Sequence, residues 1–486
     1  MTNDPAQDLL DARRSYDAAR PAPSIKGGGL FGPGPEFHDH PPEFLAKAAL
    51  ENGGIARGRI LLRQFVTVSD PEAIREILVS KARHFARGWE HRDMGAILGM
   101  GLVALDGEAW RAQRHLLQPA FAASRIRRVA PASARSARSL IERWDAACRE
   151  GRPVRVLAEA QTATLETISD ALLSVDLRNA EGEVIARDFS KALRSALATV
   201  GDRHRSTCPM PLFLPTRGNR RLREMGDQID RFIEGHLRPR FEHAAPARDD
   251  IVQSMIDAIE AAAARSEAAH APPPFGWPEA LAETKTLFIA GFETTATLLA
   301  WALHHLSHHP EIAERWHAEC DALASASAGA GSDADRDELH FEALDRLPFI
   351  RSVLDETLRL SPPFYAIPRV ALCDVGVRGV RIRKGDEIFI SVLGAHRNPA
   401  AWPDPMRFDP DRFAPGAHFD KHAYLPFGLG GHFCIGASIA LAEATLLLAA
   451  IGAHFRLVPL VPHDVPTVGR VTFVPEREIE LRLERR

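Results

Sequence analysis

The chain is short of the residues and patterns that mark several large protein classes. Its five cysteines, at positions 148, 208, 320, 373 and 434, are odd in number, widely spaced and without a CxxC pair. That argues against a disulfide framework or a structural zinc held by cysteines, and a reducing cytoplasm is the expected location. Lysine is scarce, and 60 Lys plus Arg against 64 Asp plus Glu leave a formal charge of −4 on 486 residues. A balance so close to neutral gives no field for a nucleic-acid partner. No glycine-rich loop follows a strand pattern, which argues against a nucleotide cofactor, and no repeat of solenoid length recurs. The first 20 residues alternate charges and lack the apolar core of a signal peptide. The two most apolar stretches, 287–303 and 438–451, carry Glu293 and Glu443 in their middles, so they read as buried helices and no membrane span is expected.

What is present is globular: 45% apolar and 26% charged residues. Residues 1–42 are rich in Pro and Gly, and residues 1–40 are expected to form a flexible arm. Two low-complexity stretches, 261–274 and 322–333, look like linkers or long surface loops. Helical spacing dominates the first 370 residues, with an Asp cap and Pro opening DPEAIREILVS and an unbroken pattern over 278–309, about 48 Å of helix. Strand-like alternation appears in DVGVRGVRIRKGDEIFISV and near the C-terminus in RVTFVPEREIELRL. The expectation is a mainly α fold with small β-sheets.

The stretch LPFGLGGHFCIGASIALAEA places Phe427, Gly428, Gly430, Gly431 and Gly436 around one cysteine, Cys434, just before an apolar helix. Glycines let backbone approach the sulfur, and the helix N-terminus favours the thiolate. With this chain's residue frequencies the pattern FxxGxxxCxG arises by chance about once in a thousand such sequences. Cys434 therefore reads as a metal ligand rather than a buried apolar thiol.

That loop resembles the proximal ligand loop of the cytochrome P450 family, the haem-thiolate monooxygenases. Four further motifs stand in matching order. They are WRAQR with Trp110 and Arg114, AGFETT with Ala290, Gly291, Glu293 and Thr294, DETLRLSPP with Glu356 and Arg359, and PDRF with Arg412. The resemblance implies the cytochrome P450 fold, with residues 41–486 as one domain, and haem b as cofactor, held by Cys434 on the iron. Phe427 would pack on the sulfur beside Gly428 and Gly436, and Trp110, Arg114, Arg369 and His432 would face the propionates. Glu356, Arg359 and Arg412 would form a buried charge network locking the ligand loop. Ala290 and Gly291 would let the cofactor lie close to the long helix, while Thr294 and Glu293 would deliver protons from solvent to dioxygen as the catalytic pair.

An apolar lining from Leu98, Phe364, Ile367 and Val471 would select a lipophilic small-molecule substrate. Electrons would come from separate ferredoxin and ferredoxin reductase, or flavodoxin-type, donors, docking near Arg125, Arg127 and Arg128. The protein would act as a monomer. Two other readings differ in class. A peroxide-driven haem-thiolate peroxygenase would not need Glu293 and Thr294, and a haem sensor or carrier would be expected to bring an output module, of which the sequence shows no sign. The histidines at 304, 305, 308 and 309, spaced i,i+4 at the end of the long helix, read as a solvated terminus rather than a metal site.

Overall fold

The computed structural model describes residues 5–25, 35–60, 63–88, 91, 94–95, 98–121, 129–205, 211, 213–268, 275–327, 341–469 and 471–486. Helices carry most of the chain. Those that build the site are α1 (Pro5–Asp17), α2 (Gly107–Leu117), α3 (Val129–Arg149), α4 (Val156–Leu173), α5 (Arg217–Phe241), α6 (Trp277–His308), α7 (Pro348–Leu360) and α8 (Ala437–His454).

The axis of the fold is α6, whose 32 residues agree with the helix expected from spacing. Pro278 lies in its first turn, and the Glu279 side chain accepts the Gly276 N–H at 2.8 Å, satisfying one of the donors that a helix start leaves open. Helix α4 packs along α6, and the Thr164 hydroxyl donates to the Phe292 carbonyl at 3.1 Å. Gly291 is what permits this approach: a Cβ there would meet Ile168 Cδ1 of α4 at 2.8 Å. Both α6 and α8 are long and apolar enough to cross a membrane, yet 78% of the apolar window of each is buried inside the protein. Burial of that apolar surface against α3, α4 and α7 is the main stabilising term, at about 25 cal/mol per Å².

Four small sheets frame the helices, in strand orders β1-β8-β7, β10-β13-β5, β11-β12 and β2-β3-β9-β6-β4, where β1 is Arg20–Pro21, β5 Val154–Arg155, β10 Phe455–Pro459 and β11 Thr467–Gly469. The five-stranded sheet comprises β2 (Ile55–Ile60), β3 (Arg63–Val68), β4 (Phe85–Arg87), β6 (Ala366–Ala371) and β9 (Glu387–Ser391). The expected strands are present as β7 (Val375–Val377), β8 (Val380–Ile382), β9, β12 (Phe473–Pro475) and β13 (Glu480–Arg485). The turn between β7 and β8 uses Arg378 at φ 49° and Gly379 at φ 68°, the positive-φ pair that matches strand twist in a two-residue hairpin. The hairpin of β2 and β3 interrupts the helix that otherwise dominates the first 370 residues, as expected.

Three further expectations are corrected. The arm of residues 1–40 is not free where it is described. Ala12, Ala19 and Ala22 are buried, α1 packs on β7, and β1 (Arg20–Pro21) pairs in parallel with β8. Arg13 bridges to Asp374 at 3.0 Å. The two apparent linkers are largely helix: residues 261–268 end a helix from Ile251 to Ala268, and residues 322–327 end one from Pro310 to Ser327. The remaining residues of both stretches lie outside the described chain. The histidine cluster on α6 is not solvated either. His304 and His305 are 1% and 7% exposed because the loop after β10 (Phe455–Pro459) folds over them.

Candidate active site

A cavity of about 460 Å³ lies between α6, α8, α2 and the five-stranded sheet. Cys434 opens onto it from the loop before α8. The loop is shaped by Gly428 and Gly430 at φ 77° and 71°, and a Cβ on Gly430 would run into the Leu78 carbonyl. Its base closes where the Cys434 N–H donates to the Phe427 carbonyl at 2.9 Å. Phe427 packs against the core beneath, 6.4 Å from the Phe433 ring. Burial pushes the Cys434 thiol up, while the N–H groups of Gly436 and Ala437 and the Arg114 guanidinium pull the other way by favouring the thiolate. Gly436 meets no protein atom where its Cβ would be and lines the cavity. Cys320 is the contrast. It is enclosed beside Trp316, and burial pushes its thiol up to about 12.

The loop is anchored from below by α7. Glu356 and Arg359 are both fully buried. Arg359 grips both carboxylate oxygens, with Nε to Oε2 at 2.7 Å and Nη2 to Oε1 at 2.8 Å. Its other donors reach the carbonyls of His396 (2.8 Å), Pro405 (2.7 Å) and Arg407 (3.1 Å). All five guanidinium donors are used. Glu356 also accepts the Asp409 N–H at 2.8 Å, and Arg412 Nε stands 3.5 Å from Glu356 Oε1 while its Nη2 donates to the Asp404 carbonyl. The expected three-residue network is thus assembled, with Arg412 at ion-pair rather than hydrogen-bond distance.

His396, which sequence reasoning passed over, joins this network to the ligand loop. Its Nε2 accepts the Leu425 N–H at 2.9 Å, while Nδ1 lies 3.2 Å from the carbonyls of Leu358 and Arg359. Burial and the nearby Arg359 charge lower its pKa to about 3, so it stays neutral and keeps the lone pair that Leu425 needs.

At one end of the cavity, cations outnumber their carboxylates. Arg369 on β6 is 6% exposed, and burial lowers its pKa to about 10. Arg87 on β4, another residue missed at the sequence level, is lowered to about 10 by burial and by Arg369; its Nε has no hydrogen-bond partner. Arg114, His91 and His432 line the same end. Trp110 lies against His432 with ring centroids 4.1 Å apart and planes tilted by 37°, and His432 Nε2 pairs with Asp106 Oδ1 at 3.5 Å. Asp106 is the carboxylate that lies beside this group. Its own burial raises its pKa, but His432 and the N–H groups of Arg87 and Gly107 outweigh that and hold it well below the usual range. Two buried guanidinium groups, with Arg87 Nε left unpartnered, call for an anionic guest, and two propionates fit them. With a backbone-supported sulfur at the same cavity, the residues present fit haem.

On α6, Ala290 is exposed to the cavity and the Thr294 hydroxyl donates to the Ala290 carbonyl at 2.7 Å. Glu293 is 6% exposed and accepts from Gln161 Nε2 of α4 at 3.0 Å, so it is held inside the helix layer rather than at the solvent boundary its expected relay role suggests. Leu98, Phe364, Ile367 and Val471 all line the cavity. Phe364 is 45% exposed, the most open of the four. Arg125, Arg127 and Arg128 lie outside the described residues.

Glu443 of α8 also borders the cavity. It is 1% exposed with Oε1 unpartnered, and burial pushes its carboxyl up to about 8 against a lowering contact from Thr167. Unfolded glutamate titrates near about 4.3, so between that pH and about 8 the folded chain keeps a proton that the unfolded chain has lost. Stability from this group is therefore complete at low pH and declines as pH rises through that window. Glu443→Gln is expected to flatten the decline and to stabilise the protein at pH 8 by at most a few kcal/mol, read from thermal unfolding across pH 5–9. An unchanged slope would place the proton elsewhere.

The cytochrome P450 family model matches residues 23–479. The cyclooctat-9-en-7-ol 5-monooxygenase of Streptomyces melanosporofaciens is 30% identical over 430 residues, covering 86% of each chain. The cytochrome P450 734A2 of Oryza sativa subsp. japonica is 33% identical, covering 81% of this chain and 72% of its own length. The pentalenene oxygenase of Streptomyces avermitilis is 28% identical, with 86% and 87% covered. Among solved structures, the haem domain of cytochrome P450DA superposes with a TM-score of 0.81 at 25% identity, over 96% of this chain and 98% of that one. A match of that extent, on a chain whose own geometry offers one supported cysteine to a cavity lined with three arginines, makes this protein a member of the cytochrome P450 family of haem-thiolate monooxygenases.

Proposed function

We propose that the protein holds haem b in the cavity between α6 and α8 and inserts one oxygen atom of O2 into a lipophilic small molecule. The carrying observation is that Cys434, Thr294 and the cation group of Arg87, Arg114 and Arg369 all line one cavity. Haem, when bound, supplies the redox chemistry that reduces dioxygen and oxidises the substrate. The chain's contribution is to hold and to deliver. Cys434 gives the iron its thiolate, and the N–H groups of Gly436 and Ala437 with Arg114 stabilise that charge. Arg87, Arg369, His432 and Trp110 orient the propionate edge.

Thr294 Oγ1 gives its proton to the Ala290 carbonyl, which leaves its oxygen as acceptor; turning that proton toward the cavity makes it a donor. Glu293, fixed by Gln161, stands next in the chain as proton source. Leu98, Phe364, Ile367 and Val471 exclude water from the substrate side and favour an apolar guest. The bacterial relatives named for cyclooctat-9-en-7-ol and pentalenene make those compounds the first candidates for a spin-state titration. Two electrons per turnover come from separate ferredoxin or flavodoxin-type donors. Residues 41–486 act as one unit, as a monomer in the cytoplasm; the free thiols at Cys148, Cys320, Cys373 and Cys434 agree with a reducing compartment.

Thr294→Ala separates this reading from a peroxygenase. With a ferredoxin system, the variant is expected to consume electrons at near the wild-type rate but to lose product by about tenfold or more, the usual scale of a lost proton donor. With peroxide supplied, product formation is expected to survive. Unchanged coupling of electrons to product would remove Thr294 and Glu293 from proton delivery.

A further inference from the structure

The last two turns of α6 bring His304, His305, His308 and His309 together, and the loop between β10 and β11 (Thr467–Gly469) adds His463 from far along the chain. His304 Nε2 lies 2.9 Å from the His463 carbonyl and His308 Nε2 lies 3.1 Å from the Val461 carbonyl, so two backbone ties hold the loop over the helix.

The hydrogen bonds also set tautomers. His309 Nδ1 faces the His305 carbonyl at 2.8 Å, and a carbonyl only accepts, so Nδ1 carries the proton and Nε2 keeps its lone pair. His463 Nδ1 faces Asp464 Oδ1 at 3.2 Å, with the same consequence. Carbonyl and carboxylate partners of this kind orient metal-binding imidazoles. His305 differs: its ring lies against Phe408, with centroids 4.5 Å apart and planes 13° from parallel, and neither ring nitrogen has a hydrogen-bond partner. A buried imidazole with both nitrogens idle leaves desolvated polar groups unmet, which native interiors rarely tolerate. A neutral imidazole always carries one lone pair, and here no neighbour occupies it.

One nitrogen from each of His305, His309 and His463 lies within 4.8 Å of the others. Tetrahedral zinc with nitrogen ligands at ~2.0–2.1 Å needs nitrogens about 3.3 Å apart. Side-chain rotation closes that gap, because His309 is half-buried and His463 is exposed.

We propose that His305, His309 and His463 form a binding site for a divalent transition ion of the zinc class, stapling the β10–β11 loop to the end of α6. The ligand set is three imidazoles, with a fourth position toward solvent on the His463 side. Imidazole nitrogen selects zinc-like ions over magnesium or calcium, which take oxygen ligands. The staple lies close in the chain to the cavity wall. The loop runs into β11 and then to Val471 and Thr472, which line the cavity, while Trp301 Nε1 of α6 donates to the Phe473 carbonyl at 3.2 Å. The ion therefore stiffens the wall that Val471 belongs to, well away from the cysteine loop.

The test uses untagged, haem-loaded protein, cleared of metal by chelator and dialysed against zinc, with zinc counted by mass spectrometry against haem counted by absorbance. Wild type is expected to hold one zinc per haem and to gain thermal stability from it. His463→Gln, an exposed loop change, and His309→Gln are each expected to weaken zinc binding by about tenfold or more with the haem content unchanged. His463→Gln is also expected to lose the zinc-dependent thermal shift. Equal zinc retention in both variants, or no zinc bound by wild type at micromolar concentration, would overturn the site.

Discussion

Cys434→Ser is expected to abolish the red-shifted Soret band of the reduced, CO-treated protein and to bring turnover to background. The substitution removes one polarisable atom and little volume, so the loop closure from the Cys434 N–H to the Phe427 carbonyl persists. What is lost is the thiolate. The N–H groups of Gly436 and Ala437 still point at position 434, but a serine hydroxyl does not ionise there and cannot supply the electron density that a thiolate does. Haem is expected to remain partly bound, because Arg87, Arg369 and His432 would still face its propionates. The informative result is therefore a haem protein with the wrong spectrum. Cys320→Ser should leave the band untouched, since that thiol is enclosed in the core beside Trp316. A red-shifted band that survives Cys434→Ser would remove the ligand assignment.

Arg359→Leu is expected to be the most destabilising single change. It leaves the fully buried Glu356 carboxylate without its bidentate partner and strips three carbonyls of their donor. Stranding a buried charge of this kind costs about 3–5 kcal/mol, a large share of the ~5–15 kcal/mol that stabilises a typical domain. Lysine is no substitute, because three donors on a flexible stem cannot reproduce a planar fork whose five donors are all in use. Urea unfolding followed by tryptophan fluorescence should show the loss, and haem retention in Arg359→Lys should fall with it. Stability within ~1 kcal/mol of wild type would mean that the network is dispensable.

The parts of this protein that the amino-acid sequence made legible are those whose geometry is local. The cysteine loop depends on glycines within a few residues of the sulfur, Glu356 and Arg359 meet because they are three apart on one helix, and α6 declares itself by unbroken spacing. Residues whose role is made by distant partners were not visible. His396 matters because its two nitrogens join carbonyls 37 and 38 residues before it to an N–H 29 residues after it. Arg87 sits on a three-residue strand too short to carry a periodic signal, and its importance comes from Arg369 and Asp106 across the sheet edge. The α6 histidines looked solvated because a helix end is the usual place for them, and the covering loop comes about 150 residues later. Gly291 was expected to make room for the cofactor, whereas the protein atoms that a Cβ there would meet belong to Ile168.

The parallel pairing of β1 with β8 also constrains the order of assembly during synthesis. Arg20 pairs with Val380 and Pro21 with Arg381, so the N-terminal segment leaves the ribosome about 360 residues ahead of the strand that receives it. At ~5–20 residues per second that is a wait of roughly 20–70 s. Through that interval α1, whose sequence PAQDLLDARRSYD alternates acids and arginines, must stay soluble without its partner. Its polarity suits a segment that emerges early and docks late, and it ties completion of the small sheet to the time at which most of the haem-binding chain is already made.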